Sequence, residues 1–179
     1  MLTNEEKKLC LELARSSIAF KLKLIEEAPK RPPNPIFKES FGLFVTLHKD
    51  NRLRGCIGYI QPYKDLCSSI MELAMAAAFR DNRFSQVKDH EFDALHIEIS
   101  ILSPLKEIKN IDEIEIGHDG LYIQHPLGSG LLLPQVATQY NWDKDTFLEE
   151  TFHKAGLPIS FQNEKATKIY RFEAEIFGE

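Results

Sequence analysis

The sequence contains little cysteine, and the cysteines form no pattern. Cys10, Cys56 and Cys67 are the only three, and no two of them have the CxxC spacing of a zinc or redox site. An odd number of unpaired cysteines does not fit the disulfide framework of a small secreted domain. We therefore predict a reduced, cytoplasmic protein.

Long apolar runs and metal-binding motifs are also absent. No run approaches the roughly 18 apolar residues that a membrane span needs, and the first residues are charged where a signal peptide has an apolar core. The sequence has no HxxxH pair and no acidic calcium loop. The glycines in residues 126–130 lack the spacing of a phosphate-binding loop. We expect no membrane association, no metal and no cofactor.

Charge gives no clear nucleic-acid signal. The net charge is −5, and the 22 lysines and arginines are scattered apart from a modest group in residues 21–38. A nucleic-acid-binding protein usually concentrates its positive charge on one face. Residues 1–179 are long enough to bury a core without a disulfide or metal, so we predict a single domain.

The central stretch is residues 53–60, which reads as a strand that carries a cysteine between two glycines. Alternation predicts that Arg54, Cys56 and Gly58 share one face and that Gly55 lies on the other. The glycines leave little bulk beside the thiol, and a nearby cation favours the thiolate. Cys56 is thus a candidate nucleophile with Arg54 as its activator. The alternative is a packed cysteine that behaves as a small hydrophobic residue.

The rest of the chain alternates between hairpin-like strands and amphipathic helices. We predict helices over 3–28 and 65–79, a proline-rich connector at 29–35, strands over 41–48, 53–60, 94–102 and 168–177, a loop at 126–130, and a last helix capped by Asp143. In the final strand, Glu175 is expected to point outward. Because the strands come as hairpins, we predict an α+β fold with a largely antiparallel sheet.

A loop of charged residues follows the second helix. Arg80, Asp81 and Arg83 stand directly after residue 79, where cations interact well with a helix dipole. They also lie on a loop, where binding residues concentrate, and the planar guanidinium of Arg83 fits a carboxylate or phosphate. Both interpretations remain open from the sequence.

A polar face is predicted on the strand at 94–102. His96, Glu98 and Ser100 alternate with apolar residues, and such a face usually meets solvent. If the face lines a cleft instead, Glu98 and His96 become an acid–base pair, and His96 is our first candidate for a base beside Cys56.

These stretches together resemble the AMMECR domain family over about residues 9–177. The resemblance is carried by Leu53-Arg54-Gly55-Cys56-Ile57-Gly58, by the preceding 42–47 segment, and by blocks at 79–84, 97–103, 132–137 and 154–157. It implies two subdomains around a curled, barrel-like sheet, with the signature strand near the cleft between them. The residues themselves supply the site candidates: Cys56, Arg54 and Glu98 for catalysis, and Arg80, Asp81, Arg83, Gly55 and Gly58 for substrate or partner binding.

The resemblance also implies partners. Short prokaryotic members look like one component of a three-part system with a Memo-like protein and a radical S-adenosylmethionine enzyme that act on an unidentified substrate. A non-catalytic binding module and, with less support, a nucleic-acid-associated factor are the alternatives. The sequence departs from its relatives at Phe152, where many carry a cysteine, so we do not expect a redox pair with Cys56.

Overall fold

The computed structural model describes residues 2–179, in which helices accompany two four-stranded sheets. The chain divides into two units. The first extends to Leu102 and includes Glu175–Glu179, and the second is Ser103–Ala174. The predicted α+β class is confirmed, with antiparallel pairing of strands in both sheets. The barrel-like curl remains a prediction. No helix in residues 2–179 has the length and apolar character to cross a membrane.

The first unit packs two helices on one sheet of strand order β2-β1-β3-β8. Its elements are α1 (Asn4–Lys21), β1 (Gly42–Lys49), β2 (Arg52–Tyr59), α2 (Leu66–Phe79), β3 (Leu95–Leu102) and β8 (Ala174–Gly178). Leu43, Val45 and Leu47 of β1 are fully buried in the same core as residues of α1 and α2. Residues of odd number in β1 therefore face the helices, and Phe44, Thr46 and His48 face the opposite side.

Helix α1 ends at Lys21, seven residues before the predicted end at residue 28. Its start is as expected, because Thr3 and Glu6 form a capping box. At the other end, Lys23 has a left-handed backbone with φ of +62°. Leu24 N–H then bonds to the carbonyl of Ala19, which closes the helix with a Schellman-type arrangement. A lysine at this position does not indicate in the sequence that the helix ends here.

The second unit has a sheet of order β4-β7-β5-β6. Its elements are β4 (Lys106–Glu107), β5 (Gly120–His125), β6 (Gly128–Leu132), α3 (Pro134–Gln139), α4 (Lys144–Lys154) and β7 (Lys168–Phe172). Phe147 and Phe152 of α4 are fully buried with Leu121 and Ile123 of β5. The predicted cap of α4 is confirmed, because the carboxylate of Asp143 accepts from the Thr146 N–H at 2.9 Å.

Three predictions in the second half of the chain are wrong. The loop expected at 126–130 is largely strand, since β6 begins at Gly128 directly after a short turn. The single strand expected at 168–177 is two strands in different sheets, separated at Glu173. Glu175 was also expected to point outward, yet its carboxylate binds Leu2 N–H at 3.0 Å and Lys7 Nζ at 2.8 Å.

Candidate functional site

The face of the first sheet that is turned away from the helices carries a polar row. Cys56 of β2 pairs with Thr46 of β1, and Thr46 pairs with Glu98 of β3. The Thr46 hydroxyl donates to Cys56 Sγ at 3.2 Å. A thiol, a hydroxyl and a carboxylate therefore lie side by side on three adjacent strands, and we call these residues the Cys56–Thr46–Glu98 row.

The residues on either side of this row are fixed by the same pairing. Ser100 of β3 pairs with Phe44, and His96 pairs with His48. Ser100 is buried, and its hydroxyl has no hydrogen-bond partner in the described part of the chain. Because β1 separates β2 from β3, Cys56 is about 10 Å from Glu98 in strand spacing, and His96 lies two residues farther along β3. Neither predicted base makes a hydrogen bond with the thiol among residues 2–179.

The two signature glycines are required by packing within the first unit. A Cβ added at Gly55 would lie 2.2 Å from the carbonyl oxygen of Ala77 in α2. One added at Gly58 would lie 2.3 Å from the ring of Phe44. The lack of a side chain at Gly55 lets α2 approach β2, and the lack of one at Gly58 leaves room for the ring of Phe44. Glycine in a strand permits such close approaches.

Arg54 does not act on the thiol in this structure, although the alternation predicted a shared face. The register shifts between Leu47 and His48, so that Arg54 is a bulge residue with no partner on β1. Its guanidinium binds the carboxylate of Glu91 at 3.2 and 3.0 Å and the carbonyl of Ser85 at 2.8 Å. Its catalytic role remains a prediction, and its observed contacts are structural.

Asp81 and Arg83 are the charged residues that hold Cys56. The buried Asp81 carboxylate accepts from Arg83 Nε at 2.9 Å, from Arg83 Nη2 at 2.7 Å and from Cys56 N–H at 2.9 Å. Arg83 Nη2 also donates to the carbonyl of Cys56 at 3.1 Å. Because β2 is at the edge of its sheet, this pair satisfies main-chain groups that a further strand would otherwise bind.

The charge of Arg83 is therefore largely compensated by Asp81. Hydrogen bonds from Arg83 are the main reason that the pKa of Asp81 lies well below its usual range. The Arg83 side chain is still about half exposed, at 52 %. Arg80 is exposed as well, and its side chain makes no hydrogen bond or ion pair in residues 2–179. Arg83 is therefore bound to other residues of the protein, whereas Arg80 has no such partner among the described residues.

The thiol of Cys56 is partly buried, and its pKa is raised. Burial is the main cause, and the Thr46 hydrogen bond and the charge of Arg83 act in the opposite direction, while Asp81 and Glu98 raise the pKa further. The sequence leaves an activated thiolate and a packed cysteine as alternatives. The raised pKa is in the direction expected of a packed cysteine, because burial is the largest effect and acts against the single nearby cation.

Thr46 and Glu91 are the two site residues that the sequence did not single out. Thr46 could have been found from the predicted hairpin, since a correct β1–β2 register places it opposite Cys56. Glu91 lies in a short 3-10 helix, Asp89–Ala94, and nothing in its local sequence indicates that it binds Arg54. In residues 2–179, no group of three or more His, Cys, Asp or Glu side chains is arranged to hold a metal ion.

Comparison with known proteins identifies relatives over nearly the whole chain. The AMMECR1 family matches residues 11–177. A protein of Methanothermobacter thermautotrophicus is 38% identical over 99% of this chain and 96% of its own length. A protein of Methanocaldococcus jannaschii is 41% identical over 100% and 92%, respectively. The crystal structure of an uncharacterised protein from Pyrococcus horikoshii has a TM-score of 0.90 and 39% identity, with 99% of this chain and 93% of that chain covered. The chain therefore belongs to the AMMECR1 family.

Proposed function

We propose that this protein is a binding subunit whose first unit recognises a ligand through the Cys56–Thr46–Glu98 row without covalent chemistry. One observation carries the proposal: the thiol of Cys56 has a raised pKa and accepts a hydrogen bond from Thr46, while Asp81 and Arg83 hold its main chain. A protonated, hydrogen-bonded thiol is a poor nucleophile but a suitable part of a recognition surface.

Glu98 determines the kind of group that this row accepts. Its carboxylate makes no hydrogen bond or ion pair in the described residues, and the guanidinium that acts on the thiol, Arg83, is already bound to Asp81. A half-buried carboxylate without a partner favours a ligand that donates hydrogen bonds or carries positive charge. We therefore expect the row to bind an amine, guanidine or hydroxyl group.

The family resemblance suggests the setting in which this binding is used. We propose that the protein acts with a Memo-like protein and a radical S-adenosylmethionine enzyme on a shared substrate, and that it supplies recognition. The test is analytical ultracentrifugation of the purified protein with each of the two partners from the same genome. Association of at least one pair at about 10 μM is expected, since transient interfaces reach this range. No association in any pair, or in all three together, would contradict the partnership.

Two variants separate recognition from covalent catalysis. Cys56→Ser keeps a hydrogen-bonding group of similar size, whereas Glu98→Gln removes the charge of the row. If the row only recognises a ligand, the Cys56→Ser protein still binds most of the metabolite that the unmodified protein pulls down from a cell extract. The Glu98→Gln protein loses most of this binding. A covalent adduct on Cys56 by mass spectrometry, absent from Cys56→Ser, would instead establish the nucleophile.

The nucleophile hypothesis is the second candidate, and it has one observation in its favour. Cys56 is only partly buried, and the Arg83 guanidinium lowers the pKa of its thiol against the effect of burial. A ligand that displaced Asp81 from Arg83 would strengthen this cation's effect on the thiol. The decisive quantity is the pKa of Cys56, and its measurement is described in the Discussion.

A further inference from the structure

The second unit contains a cavity that the Cys56–Thr46–Glu98 row does not use. Its volume is about 320 Å³, and it lies among the segment after β4, the strand β7 and the helix α4. The apolar part of its lining, which we call the floor, consists of Ile108, Ile111, Ile114, Leu148 and Ile169. Ile108, Ile114 and Leu148 are almost completely buried. The volume falls at the lower end of the range for small-molecule sites, about 300–1,000 Å³.

The rim of the cavity offers carboxamides that have no partner of their own. Gln162 and Asn163 end the short 3-10 helix Ile159–Asn163, and both are exposed. Neither side chain makes a hydrogen bond within residues 2–179. The carboxamide of Asn110, by contrast, is already bound to Asp112 through both its nitrogen and its oxygen. The free donors and acceptors of the rim are therefore concentrated at Gln162 and Asn163.

Thr167 adds an acceptor beside them. Its hydroxyl donates to the carbonyl of Phe161 at 2.7 Å, so its proton is committed and only its lone pairs remain available. A ligand at this position would have to donate to the hydroxyl oxygen. The rim thus presents two amide groups and one acceptor above an apolar floor.

The charges that line the cavity compensate each other. Glu107 and Lys109 are the charged residues of the lining, and their side chains are 3.5 Å apart. No unpaired charge is left to offset the desolvation of a charged ligand over the isoleucine floor. An uncharged ligand is consequently favoured over an anion or a cation.

We propose that this cavity binds a small, uncharged heterocycle that carries an amide-type edge with adjacent donor and acceptor. The flat ring lies on the isoleucines, and the edge bonds to Gln162 and Asn163. A carboxamide offers a donor and an acceptor in one plane and can pair with such an edge through two hydrogen bonds. This proposal is independent of the function proposed for the first unit, because the lining lies within residues 107–169.

The four isoleucines make the site directly observable. We would label the isoleucine δ1 methyl groups of the full chain and titrate it with nicotinamide, uracil and adenine, and with nicotinate as the charged counterpart of nicotinamide. The expected result is a methyl shift confined to Ile108, Ile111, Ile114 and Ile169, with a dissociation constant of about 1 mM or lower for at least one neutral probe. Nicotinate is expected to bind about tenfold more weakly than nicotinamide because its charge is uncompensated in the cavity.

Matched variants then test the assigned rim. Gln162→Leu with Asn163→Leu is expected to weaken binding of the neutral probe about tenfold, which corresponds to losing roughly one net hydrogen bond. Gln139→Leu removes an exposed carboxamide of α3 that lies outside the cavity, and it should leave binding unchanged. The methyl spectrum of each free variant reports whether it is folded.

Three results would overturn the proposal. The first is the absence of methyl shifts with every neutral probe at several times the expected dissociation constant. The second is equal binding of nicotinate and nicotinamide. The third is unchanged affinity in the double rim variant while its free spectrum shows a folded protein. Any of these results would mean that the cavity is only an open gap at the edge of the hydrophobic core of the second unit.

Discussion

At the scale of single residues, the pKa of Cys56 decides between recognition and nucleophilic catalysis. Burial raises the pKa of the thiol, and Arg83 partly opposes this effect. Cys10 and Cys67 are buried, and the pKa of Cys10 is raised to about 12, so neither competes strongly for an alkylating reagent in the folded protein. Alkylation of the native chain therefore reports mainly on Cys56.

We predict that the rate of Cys56 alkylation rises with an apparent pKa above the free value of about 8.5. Peptide mass spectrometry after timed iodoacetamide treatment across pH measures this rate. Arg83→Gln should raise the pKa further, since it removes the cation and leaves Asp81 charged. Arg80→Gln is the matched control and should have no effect, because Arg80 has no contact with Cys56. A native pKa clearly below about 8.5 would restore the nucleophile hypothesis.

Residue roles were only partly predictable from the sequence. The alternation of β3 correctly placed Leu95, Ile97 and Ile99 in the core. The pairing of β2 is interrupted at Arg54, because one bulge residue breaks the period of two on which such predictions depend, and the guanidinium binds Glu91. The binding role predicted for the loop after α2 stays a prediction, and the pairing of Arg83 with Asp81 and Cys56 could not be predicted because it depends on tertiary structure.

At the scale of elements, the contact between β2 and α2 depends on Gly55. We predict that Gly55→Ala lowers the free energy of unfolding by about 3 kcal/mol or more, because the new methyl group meets a backbone carbonyl that cannot easily move. Guanidinium denaturation measures the loss.

Gly156→Ala serves as the comparison for this substitution. Gly156 has a φ of +71° and no atom within 4 Å of an added Cβ, so only backbone strain of about 1 kcal/mol is expected. If Gly55→Ala lowers the free energy of unfolding by no more than Gly156→Ala does, then β2 and α2 can move apart without a loss of stability. The close approach of these elements would then not explain the glycine.

Element boundaries were harder to predict than element types. The sequence identifies α1 and α4 because each has a helical period and a recognisable N-cap, and it identifies the β1–β2 hairpin from two strand-like segments joined by turn residues. It does not indicate that residues 168–177 divide between two sheets, since β7 and β8 continue the same alternation across Glu173. That division is set by which strands are available for pairing, and this information is not local.

At the scale of the whole molecule, ion-paired carboxylates make stability depend on pH. Hydrogen bonds from Arg54 are the main reason that the pKa of Glu91 is lowered to about 2. The pKa of Asp81 is lowered as well, mainly by Arg83. A carboxylate with a depressed folded pKa stabilises the native state above its unfolded pKa of about 4, and this stabilisation disappears as the pH falls toward the folded value.

We therefore predict that the free energy of unfolding is nearly constant from pH 7 to about pH 5 and falls between about pH 4 and pH 2. Glu91→Gln should lower stability at pH 7 and flatten this acid limb. Glu149→Gln, which changes an exposed residue of α4 that makes no ion pair, should preserve the limb. Urea denaturation at several pH values provides the curve, and an acid limb of unchanged slope in Glu91→Gln would refute the assignment.

The order of the strands along the chain has a consequence for biosynthesis. The first sheet ends with β8, yet β8 is separated from its neighbour β3 by the entire second unit. A nascent chain that has reached Leu102 can pair β2, β1 and β3, but the outer edge of β3 stays open until residues 174–178 leave the ribosome. At about 5–20 residues per second, this interval lasts several seconds. During that time an isoleucine-rich edge is available to other nascent chains, so aggregation through β3 is favoured until β8 covers this edge.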